Sequence, residues 1–341
     1  MLRPFVFYLF LLSIIPVKAF SDNMIRGVGI HPLTHELTDE NVINILSKYN
    51  INSFRTDYPW SRVEKIKGEY QAADVRIDNV VNAAVDKNID PMLILDYGNV
   101  LYDPKTDDNP RSKPNSITSR DAFVKYAGWV ASHFKVKVNM YEIWNEWIQT
   151  DGRKGIAHFS VFNDDSVNIF SDFVLRSCIA IKKNNPKAKV IAGGIDPFDK
   201  KSEIWMMKVI STGVMKCLDG ISVHPYYYPN NSNISSDPVI NKLVEVHKML
   251  VNANKGNDVD LYVTEIGVPL VGYSKYSDSD VAGYIKNLYF KARDYSFIKG
   301  VWWYDLIDDG KNKNEIQENF GLLNHNGEPK RTMTEFLDFK N

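Results

Sequence analysis

The chain has 341 residues, with 41 Lys and Arg against 42 Asp and Glu, for a formal net charge of −1. That balance, without a basic run, excludes the electrostatic footprint of a nucleic-acid binder. The length is large for an ordinary domain but suits a barrel of about 250 residues with insertions. The first residues, Met1-Leu2-Arg3-Pro4, lead into an apolar run from Phe5 to Val17 and then Val17-Lys18-Ala19. A positive start, a short apolar stretch and a small-residue site predict a secretory signal peptide over residues 1–19. Residues 20–341 are then expected to form one soluble, secreted or periplasmic domain, since no second stretch approaches the ~20 residues of a membrane span.

Beyond the leader, strand-like and helix-like runs alternate. Short apolar runs rich in β-branched and aromatic residues predict strands over 25–30, 51–55, 91–96, 138–144, 189–193, 220–223, 261–264 and 300–303. Between them, apolar residues at helical spacing predict helices over 39–49, 75–87, 120–134, 166–184, 203–212, 238–252 and 279–295, with a last one over 329–339. Strict alternation implies parallel strands with right-handed crossovers, and eight repeats imply a single-domain (β/α)8 TIM barrel. An open doubly wound sheet fits less well, because no Gly-x-Gly-x-x-Gly turn follows the first strand. The loops agree with a barrel. Those after strands are long (97–118, 147–165, 225–237, 267–278, 304–319) and the returns to strands are short, so long loops gather at the rim where barrel enzymes place their sites.

Two glutamates end apolar strands a third of the chain apart: Glu146 in Tyr141-Glu142-Ile143-Trp144-Asn145-Glu146-Trp147 and Glu265 in Leu261-Tyr262-Val263-Thr264-Glu265. A carboxylate there needs partners, and a pair of them is what glycosidic-bond cleavage requires. Two cysteines, Cys178 and Cys217, cannot make a zinc site alone, and no His-x-x-x-His spacing supplies one, so no metal or other cofactor is expected. Oxidising surroundings allow a Cys178–Cys217 bond. The apolar helical face carrying Cys178 instead favours a free thiol packed as a small hydrophobe.

Taken in order, these segments resemble the retaining (β/α)8 glycoside hydrolases of clan A, most closely family 39 and bacterial exopolysaccharide-cleaving relatives. The resemblance runs from Phe54-Arg55-Thr56-Asp57 through Trp144-Asn145-Glu146, His224-Pro225-Tyr226 and Thr264-Glu265 to Trp302-Trp303-Tyr304-Asp305 and Phe320-Gly321-Leu322-Leu323. Trp147 stands where the family usually has Pro. The resemblance implies a retaining hydrolase of a polysaccharide or oligosaccharide, with Glu146 as acid/base and Glu265 as nucleophile. Trp144 and Trp147 would wall Glu146 with apolar surface, which favours a protonated carboxyl near neutrality.

The same resemblance assigns helpers. Asn145 would bond the sugar 2-hydroxyl, and Arg55 would keep Glu265 ionised. Tyr226 would donate to Glu265 and His224 would contact sugar hydroxyls; His31, by its place after the first strand alone, is a further candidate sugar contact. Neighbours on a strand face opposite sides, so one of Trp302 and Trp303 should face the mouth as a stacking platform, with Trp303 the preferred one. Glu142 falls on the side of Glu146, one layer deeper, as a supporting carboxylate. Asp96 either pairs with Arg55 or touches substrate. The expected partner is a carbohydrate and the expected state a monomer. A transglycosylase and a non-catalytic carbohydrate-binding barrel are the alternative readings, and survival of both carboxylates with their helpers argues against the second.

Overall fold

The computed structural model describes residues 24–103, 113–114, 116–148, 164–228, 234–272 and 274–334. In chain order the strands are β1 (Ile25–Gly29), β2 (Ser53–Asp57), β3 (Asp90–Leu95), β4 (Met140–Ile143), β5 (Lys189–Ile195), β6 (Gly220–Val223), β7 (Leu261–Ile266) and β8 (Ile298–Trp303). Each pairs in parallel with its chain neighbours, and β8 returns to β1, so the expected (β/α)8 barrel closes. Around it lie α1 (Asp39–Lys48), α2 (Trp60–Val63), α3 (Val75–Val85), α4 (Ile117–His133), α5 (Asp164–Asn184), α6 (Lys200–Ser211), α7 (Asp237–Ala253), α8 (Asp278–Ala292) and α9 (Arg331–Thr334). Among the described residues no helix is long and apolar enough to cross a membrane. The expected leader over 1–19, and the expected tail helix beyond residue 334, lie outside the described residues.

Local chemistry sets the boundaries. The Thr38 side chain accepts from Asn41 N at 3.2 Å and starts α1, while Ser116 and Ser277 open α4 and α8 with reciprocal capping boxes. The tight returns into β2 and β3 use Asn50 and Asn88 at φ 54° and 56°, the left-handed region that Asn tolerates.

Two apolar layers hold the barrel. Phe54, Leu93, Tyr141, Val263 and Val301 on the strands share one buried cluster with Leu46, Val81, Tyr126 and Leu288 on the helices. Inside the barrel, Met92, Met140, Ile191, Tyr262 and Trp302 form a second cluster. Trp302 Nε1 donates to Ser53 Oγ at 3.0 Å, and its ring occupies space that only a glycine at position 27 leaves open, since a Cβ there would stand 2.0 Å from the indole. This plug gives the rim above it a solid floor.

Several element bounds shift by a few residues, as β2 does to 53–57 from the expected 51–55, and three further departures stand out. β4 stops at Ile143, short of the expected 144, because Trp144 takes a left-handed φ of 65° that no strand accommodates. The short α2 was not anticipated. Its Trp60 is fully buried and donates from Nε1 to Glu64 Oε2 at 2.7 Å. Cys178 is not a free thiol: it is bonded to Cys217, with Cα atoms 6.1 Å apart. The 3-10 turn Val214–Lys216 carries Cys217 onto α5, where Lys182 Nζ donates to the Cys217 carbonyl at 2.6 Å. Position on an apolar face was read correctly; the partner arriving from the next repeat was not visible in it.

Candidate active site

The C-terminal ends of the strands enclose a cleft of about 670 Å³. Arg55 from β2, Asn145 and Glu146 from the loop after β4, Tyr226 from the loop after β6, and Glu265 from β7 line it together with His31 after β1. Residues scattered over the whole chain therefore converge because each lies on, or just after, a strand of one closed sheet.

Arg55 is the hub. Its guanidinium is almost fully buried and donates in three directions: Nε to Glu142 Oε2 at 2.6 Å, Nη1 to Glu265 Oε1 at 2.6 Å and Nη2 to Asn145 Oδ1 at 2.9 Å. Asn145 Nδ2 donates onward to Tyr97 OH at 3.1 Å, which fixes the orientation of the amide. Tyr226 OH donates to the other oxygen of Glu265 at 3.1 Å. Burial alone would raise the Glu265 pKa, but the charges of His224 and Arg55 and the hydrogen bonds from Arg55 and Tyr226 hold it below the usual carboxylate value. Burial, followed by the charge of Glu265, pushes the Tyr226 phenol well up, so it stays a donor. Glu265 is an ionised, oriented carboxylate.

Glu146 sits in a different setting. His224 Nδ1 lies 2.9 Å from Glu146 Oε1, and its Nε2 lies 3.0 Å from Thr264 Oγ1. The Thr264 hydroxyl donates its single proton to Glu142 Oε1 at 3.1 Å, where the carboxylate is pinned by Arg55. Thr264 must then accept from His224, so Nε2 carries a proton. The contact between Nδ1 and Glu146 holds one further proton, which belongs to the carboxyl or to the imidazole. Burial lowers the His224 pKa, but the charge of Glu265 and the hydrogen bond and charge of Glu146 more than offset it, and the net direction is up. The chain from His224 through Thr264 to Glu142 thus fixes a proton on Nε2 and leaves Nδ1 to share the exchangeable proton with Glu146.

Backbone geometry aims Glu146 at this partner. Trp144 and Glu146 both adopt positive φ, 65° and 48°. Gly194, in the β5 bulge between Ala192 and Ile195 and at φ 57°, lets this loop approach: a Cβ there would lie 2.8 Å from Glu146 N and 3.3 Å from His224 Cε1. Such outliers in non-glycine residues mark a loop over-determined by its surroundings.

Several expected roles change. Trp144 and Trp147 do not wall Glu146. Both turn outward, packing on each other and on Phe173 of α5, because the left-handed φ at Trp144 breaks the strand's alternation. His224 is not a sugar contact: it is fully buried behind Glu146 and absent from the cleft lining. Trp303 is not the platform, since it packs outward against Tyr284 of α8, and Trp302 lies below the mouth in the plug. Tyr304 lines the cleft in their place. The signal was present, because position 304 shares the side of Trp302 one step nearer the rim. Asp96 pairs with neither Arg55 nor the cleft surface. Glu142 is the deeper supporting carboxylate, as read.

His31 does face the cleft. Its Nδ1 lies 3.1 Å from Asp309 Oδ1 and 3.4 Å from Asp305 Oδ2. Burial opposes its protonation, yet the hydrogen bonds and charges of Asp305 and Asp309 raise its pKa well above the imidazole norm. Burial pushes Asp305 up to about 6 against the pull of His31. Among the described residues, His31–Asp305–Asp309 and Glu146–His224–Glu265 are the two groups whose ligand atoms, within 4.8 Å of one another, could hold a metal ion. In each, the neighbouring carboxylates outweigh burial and raise the imidazole pKa.

A sequence-family model described as Cellulase (glycosyl hydrolase family 5) matches residues 17–304. No curated protein matches the chain. Among solved structures, a family 39 glycoside hydrolase from the gut symbiont Bacteroides cellulosilyticus superposes with a TM-score of 0.74 at 22% identity. That match covers 94% of this chain but only 65% of the other, so this chain spans less than two thirds of that protein's length. Xylanase 10B from Thermotoga maritima gives 0.66 at 15% identity, covering 93% of this chain and 96% of that one. An exo-beta-1,4-mannosidase from an Opitutaceae bacterium gives 0.66 at 14%, covering 93% and 59%. At these identities the likenesses establish the fold.

Proposed function

The chain belongs to glycosyl hydrolase family 5, and from that membership we propose that it hydrolyses a β-linked polysaccharide or oligosaccharide by double displacement, with Glu265 as nucleophile and Glu146 as acid/base. One observation carries the reading. An oxygen of Glu146, an oxygen of Glu265 and a ring nitrogen of His224 all lie within 4.8 Å of one another. Retaining chemistry needs carboxyls about 5–5.5 Å apart, whereas inversion needs ~6.5–9.5 Å to admit a water.

In the first step the ionised Glu265 oxygen attacks the anomeric carbon and the glycosidic C–O bond breaks. Glu146 passes the proton it shares with His224 to the departing oxygen. In the second step Glu146 takes a proton from water, the hydroxide oxygen bonds the anomeric carbon, and the Glu265 ester bond breaks. Asn145, held by Arg55 and Tyr97, presents its amide toward the sugar 2-hydroxyl, a contact that strengthens in the transition state. Tyr304 offers a ring face in the mouth, and His31 a charged donor. The β linkage is supported by the family's name and by the xylanase and β-1,4-mannosidase that share the fold.

We further propose that the protein acts as an exported monomer, cleaved after Ala19. The leader-like first residues support export, and the Cys178–Cys217 bond suits an oxidising compartment. N-terminal sequencing of exported protein checks the cleavage, and a start at Met1 refutes it.

The roles are tested with Glu146→Ala and Glu265→Ala on glycosides of graded leaving groups. The first should spare activated aryl glycosides and regain turnover with azide, giving a β-glycosyl azide; the second should be inactive on all. Equal loss in both variants without rescue refutes the assignment. Product analysis with an added acceptor sugar separates hydrolysis from transglycosylation.

A further inference from the structure

One carboxyl of the cleft wall and one buried behind it have no part in the steps above. Asp57 ends β2 and lines the cleft, while Asp96 follows β3 and is fully buried. The backbone sets them side by side. Asp57 registers with Ile94, Tyr58 N donates to Ile94 O at 2.9 Å, and Trp60 N donates to Asp96 O at 2.6 Å. No protein donor reaches either side-chain oxygen of Asp96, yet its carboxyl lies within hydrogen-bonding reach of that of Asp57.

A dry carboxyl without a donor is stable only when neutral. It then has one proton to give, and Asp57 is the acceptor beside it. Burial first, and the charge of Asp57 second, hold the Asp96 carboxyl well above the usual range. Arg55, which acts on Asp57 as well, opposes this and Glu142 of β4 adds to it, while Tyr126 of α4 and Tyr304 after β8 are further titratable groups facing the pair. Both cations of the cleft have their hydrogen bonds committed elsewhere: Arg55 to Glu142, Glu265 and Asn145, His31 to Asp309 and Asp305. Asp57 therefore presents acceptor oxygens to the cleft and lacks an ion-pair partner among the described residues.

We propose that Asp57 is a substrate-binding residue that accepts hydroxyl protons of a neutral sugar in the cleavage subsite, and that Asp96 is its positioning residue, a neutral acid whose proton fixes one Asp57 oxygen and leaves the other to the sugar. The proposal rests on the glycosidase reading and deepens it. An ionised carboxylate at this point of the wall suits free hydroxyls and repels the carboxylate of a uronic acid placed against it.

The experiment measures kcat and KM on whichever of neutral β-1,4-glucan, xylan or mannan oligosaccharides the wild type cleaves fastest, from pH 5 to 9. A wild type that cleaves none of them overturns the glycosidase reading and this inference with it. Given wild-type turnover, Asp57→Ala should raise KM about 10- to 100-fold, the size expected for hydrogen bonds to a charged group, with kcat changed less. Asp96→Asn keeps a neutral donor beside Asp57, so it should hold KM near the wild-type value. Asp96→Ala should behave like Asp57→Ala. An unchanged KM in Asp57→Ala, or Asp96→Asn as damaging as Asp96→Ala, overturns the proposal while leaving the glycosidase reading intact.

Discussion

Replacing Arg55 by Met tests the electrostatic core of the site. The guanidinium holds two buried carboxylates at 2.6 Å each, Glu142 and Glu265, and methionine removes the charge while keeping much of the stem. Breaking a buried pair by removing one partner costs about 3–5 kcal/mol, because the remaining charge is left without compensation. At roughly 2 °C per kcal/mol for a large domain, the melting midpoint should fall by 6–10 °C at pH 7. The sign of the pH dependence follows from Glu265. Its folded pKa is depressed, so its contribution is present above the unfolded value and is lost as pH falls through the folded one. The variant's deficit should therefore shrink as the solution is acidified. Activity should respond in the same sense: without Arg55 the nucleophile protonates more readily, and the acid limb of kcat/KM moves to higher pH. Adding Glu142→Gln removes one of the two orphaned charges, so the double variant should regain stability but not the wild-type acid limb. Melts at pH 7 and pH 4 with pH–rate profiles of all three proteins make the comparison. A single variant that melts like wild type at pH 7, or whose acid limb does not move, would refute the hub assignment.

Three other outcomes are expected. Gly194→Ala should fold yet lose at least tenfold in kcat, because its Cβ would stand 2.8 Å from Glu146 N at a φ of 57°; kcat within twofold of wild type would mean the loop need not sit where it does. Removing the Cys178–Cys217 bond, which closes a 39-residue separation, should cost about 4 kcal/mol by the chain-entropy relation, read as a reductant-sensitive melt lost in Cys178→Ala/Cys217→Ala. Two free thiols in exported protein would contradict it. His31 has a raised folded pKa, so its stabilisation is full below the ordinary imidazole value and lost as pH rises through the folded one. His31→Gln should accordingly lower the melting midpoint more at pH 6 than at pH 9, and the reverse order would show that Asp305 and Asp309 do not hold the ring protonated.

The eight-fold alternation and the side of the sheet each residue faces are one-dimensional properties. They depend on periodicity that local sequence carries, so the barrel, the depth of Glu142 below Glu146 and the rim positions of Arg55, Asn145, Tyr226 and Glu265 could be read from residue order. What failed lies where periodicity stops or where the partner comes from a distant repeat. Trp144 should face inward by alternation, but a positive φ turns it into the helical layer, and Trp147 follows. Trp303 was placed at the mouth because alternation tells two sides apart without saying which residue tops the strand; Tyr304 does. His224 looked like a sugar contact until Thr264 and Glu146 were found on its two nitrogens, and that pairing joins β4, β6 and β7. The Cys178–Cys217 bond and the Asp57–Asp96 contact are likewise agreements between neighbouring repeats. Side-chain direction is written in each strand, but the protonation state and partner of a buried polar group depend on what other strands bring to it, which only closure of the barrel decides.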